Sequence, residues 1–310
     1  MAPIRSDELV ARRGLVTVLA LVLGACVQSP VREAAPQPVA WKEIAALPPP
    51  PANHGIAYGQ GPFQFGELRL PEGAGPHPVA VVIHGGCWLA DYDLHYITHL
   101  SAALTHAGIA TWTLEYRRIG NDGGGWPGTF EDLAGGSGHL ETLAREYPLD
   151  LERVVFIGHS AGGHLALWLA ARHKLPPGTP LHSPAPVKVR GIVTLAGITD
   201  LRSYGASDGG CNAAVTQLLG GPADEAPERY AHASPIELLP LGVPQRLLVG
   251  VLDPIVPLEQ AERYAERARA AGDDVQVWPV EAAGHFDLVA PFAPAWATVE
   301  RAVLDLLAVR

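Results

Sequence analysis

The segment Val154-Val-Phe-Ile-Gly158-His-Ser160-Ala-Gly162-Gly-His164 decides how the rest of the chain is read. Val154 to Ile157 is a short, continuous apolar run, the pattern of a strand buried on both faces. The following Leu165-Ala-Leu-Trp-Leu-Ala-Ala171 reads as a buried helix. Between them the pattern G-x-S-x-G forms a nucleophile elbow, a sharp turn that lifts the Ser160 hydroxyl clear of the backbone. Small residues at Gly158, Gly162 and Gly163 let strand and helix approach closely. The N–H of Ala161 opens the helix and points to where an oxyanion would form.

A serine hydroxyl is a weak nucleophile at neutral pH, so the elbow calls for a histidine base and a carboxylate to orient it. Both are expected later in the chain, at strand ends. Asp253 follows an apolar strand in Leu252-Asp-Pro-Ile-Val-Pro257, and His285 follows the next strand in Ala283-Gly-His-Phe-Asp287. Asp200, one crossover earlier, competes with Asp253, and Asp287 reads as a loop carboxylate. Of the 13 histidines, His159 and His164 sit within the elbow itself and His232 in a later loop. His95 and His99 share a helix face at a metal-like spacing without a third ligand, so no metal is expected. A second oxyanion donor is expected from His84-Gly-Gly-Cys-Trp88, where glycines let the backbone turn amides inward; Gly86 and Cys87 are the candidates. Trp88 and Trp126 are candidates for a substrate pocket, each with an alternative place in the core.

Together, His84-Gly-Gly-Cys-Trp88, Gly158-His-Ser-Ala-Gly-Gly-His164, Asp253 and Gly284-His285 resemble the carboxylesterase branch of the α/β-hydrolase superfamily, near its kynurenine formamidase-like and feruloyl/acetylxylan esterase-like members. The resemblance spans 55–310. It implies a Ser160, His285, Asp253 mechanism on a small-molecule ester or activated amide, without a cofactor. Cys87 departs from the glycine, alanine or tyrosine that relatives carry, which leaves an amide donor but alters the pocket. Gly162-Gly163 also resembles the catalytic domain of prolyl oligopeptidases, which would make the protein exopeptidase-like, although the chain lacks a propeller. A catalytically dead binding lipoprotein on the same fold is the alternative outside the enzymes.

The wider pattern fits this reading. Strands are expected at 63–70, 79–83, 109–114, 154–157, 189–195, 246–251 and 275–280, with helices at 94–106, 130–147, 161–173, 258–271 and 294–307. Such alternation gives an α/β fold with a mostly parallel central sheet and helices on both faces, with ligand sites at the carboxyl ends of the strands. Thr129 and Asp132 read as a capping box opening the second helix. Two loops leave that edge, at 119–128 and at 199–239; the second reads as a small cap. With 310 residues, 48% of them hydrophobic, the chain can bury one large core at 53–310. A formal net charge of −10 without basic clusters excludes nucleic acid as a partner.

The first residues read as an export signal: Arg5, Arg12 and Arg13 precede an apolar run at 15–23 that is too short to span a bilayer. Leu23-Gly-Ala-Cys26 resembles the lipobox of bacterial lipoproteins. It implies a signal peptide at 1–26, lipidation of Cys26 and a periplasmic or outer-membrane lipoprotein, with secretion as the alternative. Arg12-Arg13 loosely resembles a twin-arginine signal. Residues 27–52, with Pro48 to Pro51, read as a semi-rigid tether in which Trp41 and Ile44 are the side chains able to dock on the domain. Of three cysteines, the lipobox claims one. Cys87 and Cys211 then remain as a pair in an exported domain, on two loops at one sheet edge, and are expected to form a disulfide.

Overall fold

The computed structural model describes residues 37–184 and 187–308, which form one compact unit. The signal segment, Cys26 and the start of the tether lie outside the described residues.

The centre is an eight-stranded sheet. In chain order the strands are β1 (His54–Ala57), β2 (Phe65–Arg69), β3 (His77–Ile83), β4 (Ala110–Leu114), β5 (Leu149–His159), β6 (Gly191–Leu195), β7 (Gln245–Gly250) and β8 (Val275–Val280). They lie in the order β1-β2-β4-β3-β5-β6-β7-β8, with β2 antiparallel to both of its neighbours, β1 and β4, and every other pairing parallel. β3, β4, β6 and β7 are buried almost throughout, because helices cover both faces, and their runs of Val, Ile and Leu answer to that environment.

The helices are α1 (Trp41–Ala45), α2 (Thr98–His106), α3 (Gly128–Gly138), α4 (Leu140–Leu143), α5 (Ala161–Ala171), α6 (Leu201–Gly205), α7 (Asn212–Leu219), α8 (Pro227–Ala233), α9 (Leu258–Ala270) and α10 (Trp296–Ala308). Every residue of α5 is buried. Helix α9, by contrast, buries only Gln260, Ala261, Tyr264, Ala265 and Ala268, a stripe at helical spacing with charged residues opposite. Short helices α6, α7 and α8 form the small cap expected after β6.

Register fixes where the site lies. Ile83 pairs with Gly158, His159 with Leu195, and Gly250 with Val280. The loops after β3, β5, β7 and β8 therefore leave the sheet on one edge.

Two expectations change. The helix expected at 130–147 is two helices, and it starts at Gly128 behind Pro127. Thr129 and Asp132 consequently form no capping box. The Thr129 hydroxyl donates to the Arg117 carbonyl (2.5 Å), and Asp132 accepts Arg117 Nη2 and Gln64 Nε2, each at 2.7 Å. The end of the tether docks on the domain through Ile44, one of the two side chains read as able to do so. Ile44 of α1 is 1% exposed, and burying such a side chain is worth about 1.5–3 kcal/mol, enough to draw this part of the segment onto the domain.

Candidate active site

Ser160 occupies φ 55° and ψ −120°, a backbone region that side chains rarely adopt. Three contacts hold it there. Its N–H donates to the Leu195 carbonyl (2.8 Å), and its own carbonyl accepts from Gly163 and His164 in the first turn of α5. A Cβ on Gly158 would lie 2.1 Å from the Gly162 oxygen, and one on Gly162 would lie 2.2 Å from the Ile83 oxygen. Glycine at both positions is thus a packing requirement of the elbow.

On the next loops, His285 Nδ1 lies 2.7 Å from Asp253 Oδ2. The other carboxylate oxygen accepts the N–H groups of Ile255 (2.7 Å) and Val256 (3.0 Å). Asp253 is thereby fixed from both sides, and as an acceptor it assigns the Nδ1 proton to His285, leaving Nε2 unprotonated. Both side chains are buried, at 5% exposure for His285 and 1% for Asp253. Ser160 and His285 line one cavity of about 260 Å³. The competing carboxylates are engaged elsewhere. Asp200 caps α6 by accepting from Ser203 N–H (3.1 Å), and Asp287 accepts the N–H groups of Gly284 (2.9 Å) and Val39 (3.0 Å).

The loop after β3 meets the elbow from the other side. Gly86, Cys87 and Trp88 all have positive φ, at 99°, 55° and 59°. Gly85 donates its N–H to the Tyr96 hydroxyl (2.5 Å), whereas among the described residues nothing accepts from the N–H groups of Gly86, Cys87 or Ala161. These amides are the ones expected to face an oxyanion. Beneath the loop, the Glu115 carboxylate accepts Leu94 N–H and Tyr116 N–H and pairs with His84 Nε2 and Arg118 Nη2, both at 3.1 Å. Burial works against the Glu115 charge, but His84 and Arg118 outweigh it and hold the carboxyl below its usual range. The network is a buried floor for the loop after β3.

Cys87 and Cys211 are joined by a disulfide, their Cα atoms 5.1 Å apart across 124 residues of sequence. It ties the loop after β3 to the start of α7, and both cysteines line the cavity of Ser160.

Neither tryptophan proposed for the substrate pocket belongs to it. Trp88 is fully buried, and its positive φ turns the ring inward, where Nε1 donates to His164 Nδ1 (3.2 Å). His164 donates its own Nε2–H to the Ala233 carbonyl (2.9 Å), and burial pushes its pKa down to about 4. Trp126 packs edge-on to Phe130 and lines a separate cavity with His232 and Arg229. The aromatic walls of the Ser160 cavity are instead Trp41, Tyr92, Tyr96 and Phe286. Sequence reading missed three of these, for which the only signals were proximity to His285 for Phe286 and, for Tyr92 and Tyr96, a place shortly after the His84-Gly-Gly-Cys-Trp88 segment.

His159 also reaches the cavity. Its Nδ1 lies 2.9 Å from the Tyr96 hydroxyl and its Nε2 lies 3.1 Å from the His285 carbonyl. Since that carbonyl only accepts, Nε2 carries the proton and Nδ1 receives the Tyr96 O–H. Burial, with His285 beside it, holds His159 neutral, well below the usual histidine range. A directed chain therefore runs from Gly85 N–H through Tyr96 and His159 to the backbone of His285.

The sheet, the strained elbow serine and the loops gathered at one edge define an α/β-hydrolase fold. Among solved structures the chain is similar to an inhibited esterase B from Lactobacillus rhamnosis (TM-score 0.72, 19% identity, 86% of this chain and 90% of that one). It is similar also to a truncated carbohydrate esterase from gut microbiota (TM-score 0.71, 18% identity, 82% and 95%). The chain belongs to the BD-FAE family, whose model matches residues 67–267. Curated relatives include esterase LipC of Mycobacterium tuberculosis, 25% identical over 243 residues, and a probable isoprenylcysteine alpha-carbonyl methylesterase of Arabidopsis thaliana, 29% identical over 118 residues. These matches cover 76% and 38% of this chain, and 60% and 24% of the relatives' own lengths.

Proposed function

We propose that the protein is a serine carboxylesterase in which Ser160, His285 and Asp253 act as a triad. The observation that carries the reading is the strained Ser160 sharing one cavity with a histidine whose Nδ1 is held by a buried carboxylate. Ser160 Oγ attacks the ester carbonyl carbon while its proton passes to His285 Nε2, and Asp253 stabilises the imidazolium that results. The tetrahedral oxygen takes its hydrogen bonds from Ala161 N–H and from Gly86 or Cys87 N–H, donors fixed before the charge develops. The intermediate collapses, the alcohol leaves with the His285 proton, and the acyl group remains on Ser160. His285 then deprotonates a water that attacks the acyl carbon, and the free acid departs as Ser160 regains its proton.

The similarity to esterase LipC and to a probable methylesterase supports ester cleavage. A panel of acyl esters, formamides and short peptides tests it, together with fluorophosphonate labelling. Esters should turn over and Ser160 should carry the label; Ser160→Ala should abolish both while thermal unfolding stays within a few degrees. Near-wild-type turnover by that variant would rule out the mechanism.

We further propose export and lipid attachment at Cys26. The Cys87–Cys211 bond supports an oxidising compartment for the domain. Incorporation of a palmitate analogue that disappears in Cys26→Ser is the expected outcome; its absence from the unaltered chain would leave a secreted enzyme.

A further inference from the structure

The wall of the Ser160 cavity contains one residue from ahead of the first strand. Trp41 stands on α1, a helix of five residues that is too short to be stable alone. Three contacts hold it in place. Ile44 is buried in the core, Pro38 lies where a Cβ on Gly284 would meet it at 2.7 Å, and Val39 N–H donates to Asp287 Oδ2 at 3.0 Å. That same oxygen accepts Gly284 N–H, so one carboxylate fixes both the turn ahead of His285 and the segment carrying Trp41.

The indole is seated in an aromatic cluster. Its centroid lies 5.1 Å from that of Tyr92, 5.0 Å from Tyr96 and 5.6 Å from Phe286, the first two edge-on. Tyr96 is the hydroxyl bonded to Gly85 and His159, and Phe286 follows the candidate base. The indole is half-buried, so part of it is packed and part faces the cavity. A site of about 260 Å³ falls below the roughly 300–1,000 Å³ typical of pockets for drug-sized ligands, so losing one indole from its wall changes its depth substantially.

We infer that Trp41 is a specificity-determining residue, the stop that limits the length of the apolar substrate group entering the Ser160 cavity. This rests on the esterase reading above. The group is the acyl chain or the alcohol chain of the ester, both of which offer the same apolar surface to the indole, and the two arms of the test distinguish them.

The test uses the full chain with Trp41→Ala and Trp41→Leu, the second retaining an apolar side chain to hold the segment. One arm measures kcat/KM on p-nitrophenyl esters from acetate to decanoate, the other on acetates of alcohols from ethyl to octyl. In one of these series the long-to-short ratio of kcat/KM should rise by about ten-fold or more, as expected when a pocket gains room for further methylenes. The shortest ester should lose a few-fold through lost packing. A purely structural Trp41 would lower all members of both series by the same factor; that result, in variants that fold and take up fluorophosphonate, overturns the inference. If Trp41→Ala does not fold, the Leu variant decides by the same ratio. Failure of the unaltered protein to label at Ser160 would instead defeat the esterase reading.

Discussion

Asp253→Asn is the substitution whose effect the geometry predicts most closely. Oδ1 of Asp253 accepts two backbone N–H groups, from Ile255 at 2.7 Å and Val256 at 3.0 Å, and Oδ2 accepts His285 Nδ1 at 2.7 Å. Asparagine has one oxygen, and the two N–H donors hold it. Its NH2 must then face His285 Nδ1, which can receive that bond only by giving up its proton. The proton moves to Nε2, and the imidazole loses the lone pair that would accept from Ser160. The opposite amide flip would preserve the tautomer but leave two buried donors unpaired, at about 1–3 kcal/mol each. It would also withhold negative charge from the imidazolium. The expected fall in kcat/KM is on the order of 10⁴, or about 5.5 kcal/mol in the barrier. The assay is p-nitrophenyl butyrate hydrolysis at neutral pH, with fluorophosphonate labelling to count competent sites. A loss below about ten-fold would refute both the tautomer argument and the choice of acid.

Asp200→Asn should leave the rate within a few-fold, since asparagine caps α6 as aspartate does; a larger loss than that of Asp253→Asn would move the acid one strand earlier. Thiol titration of the denatured, unreduced protein carrying Cys26→Ser should find no free thiol at monomeric mass, because Cys87 and Cys211 are bonded; two thiols per chain would exclude the bridge. Closing a loop with these ends 124 residues apart should stabilise by up to roughly 5 kcal/mol in the chain-entropy account, so reductant should lower the urea midpoint. Acid should weaken the fold. His164 stays neutral down to about pH 4, whereas in the unfolded chain it binds a proton below about pH 6.5, so stability falls as pH drops through that window. The loss amounts to about 3 kcal/mol from His164 alone, and His159 shifts in the same direction. Glu115, with its carboxyl held low, adds a further loss on acidification below its unfolded value. Urea midpoints that do not differ between pH 7 and pH 4.5 would contradict this.

The features legible in the sequence were those written in contiguous residues. Gly158-x-Ser160-x-Gly162 encodes its own turn, because each glycine answers to a backbone atom of the same elbow or of the adjoining strand end. The parallel strands announce themselves by apolar runs, and their carboxyl ends gather Asp253 and His285 whatever the loops do. Side-chain direction within a loop is another matter. Trp88 follows Gly85-Gly86-Cys87 and reads as a pocket residue, yet at a φ of 59° it donates to His164, a partner 76 positions away. Trp41 stands in a proline-rich stretch, and its contacts lie in Tyr92, Tyr96 and Phe286, far along the chain. Thr129 and Asp132 have cap spacing, but Arg117 and Gln64 compete for them successfully across the fold.

The disulfide divides the chemistry of the molecule in an uneven way. The ring it closes, from Cys87 to Cys211, contains Ser160 and leaves Asp253 and His285 outside. Within that ring the exposed turn Pro176-Pro-Gly178 is open to a protease. One cut there yields a fragment bearing the serine and a second bearing the acid and the base, yet the sulfurs still couple the two. Such a nicked molecule would migrate as one species on a non-reducing gel and as two after reduction. A cleaved preparation would therefore pass for intact protein until a thiol was added.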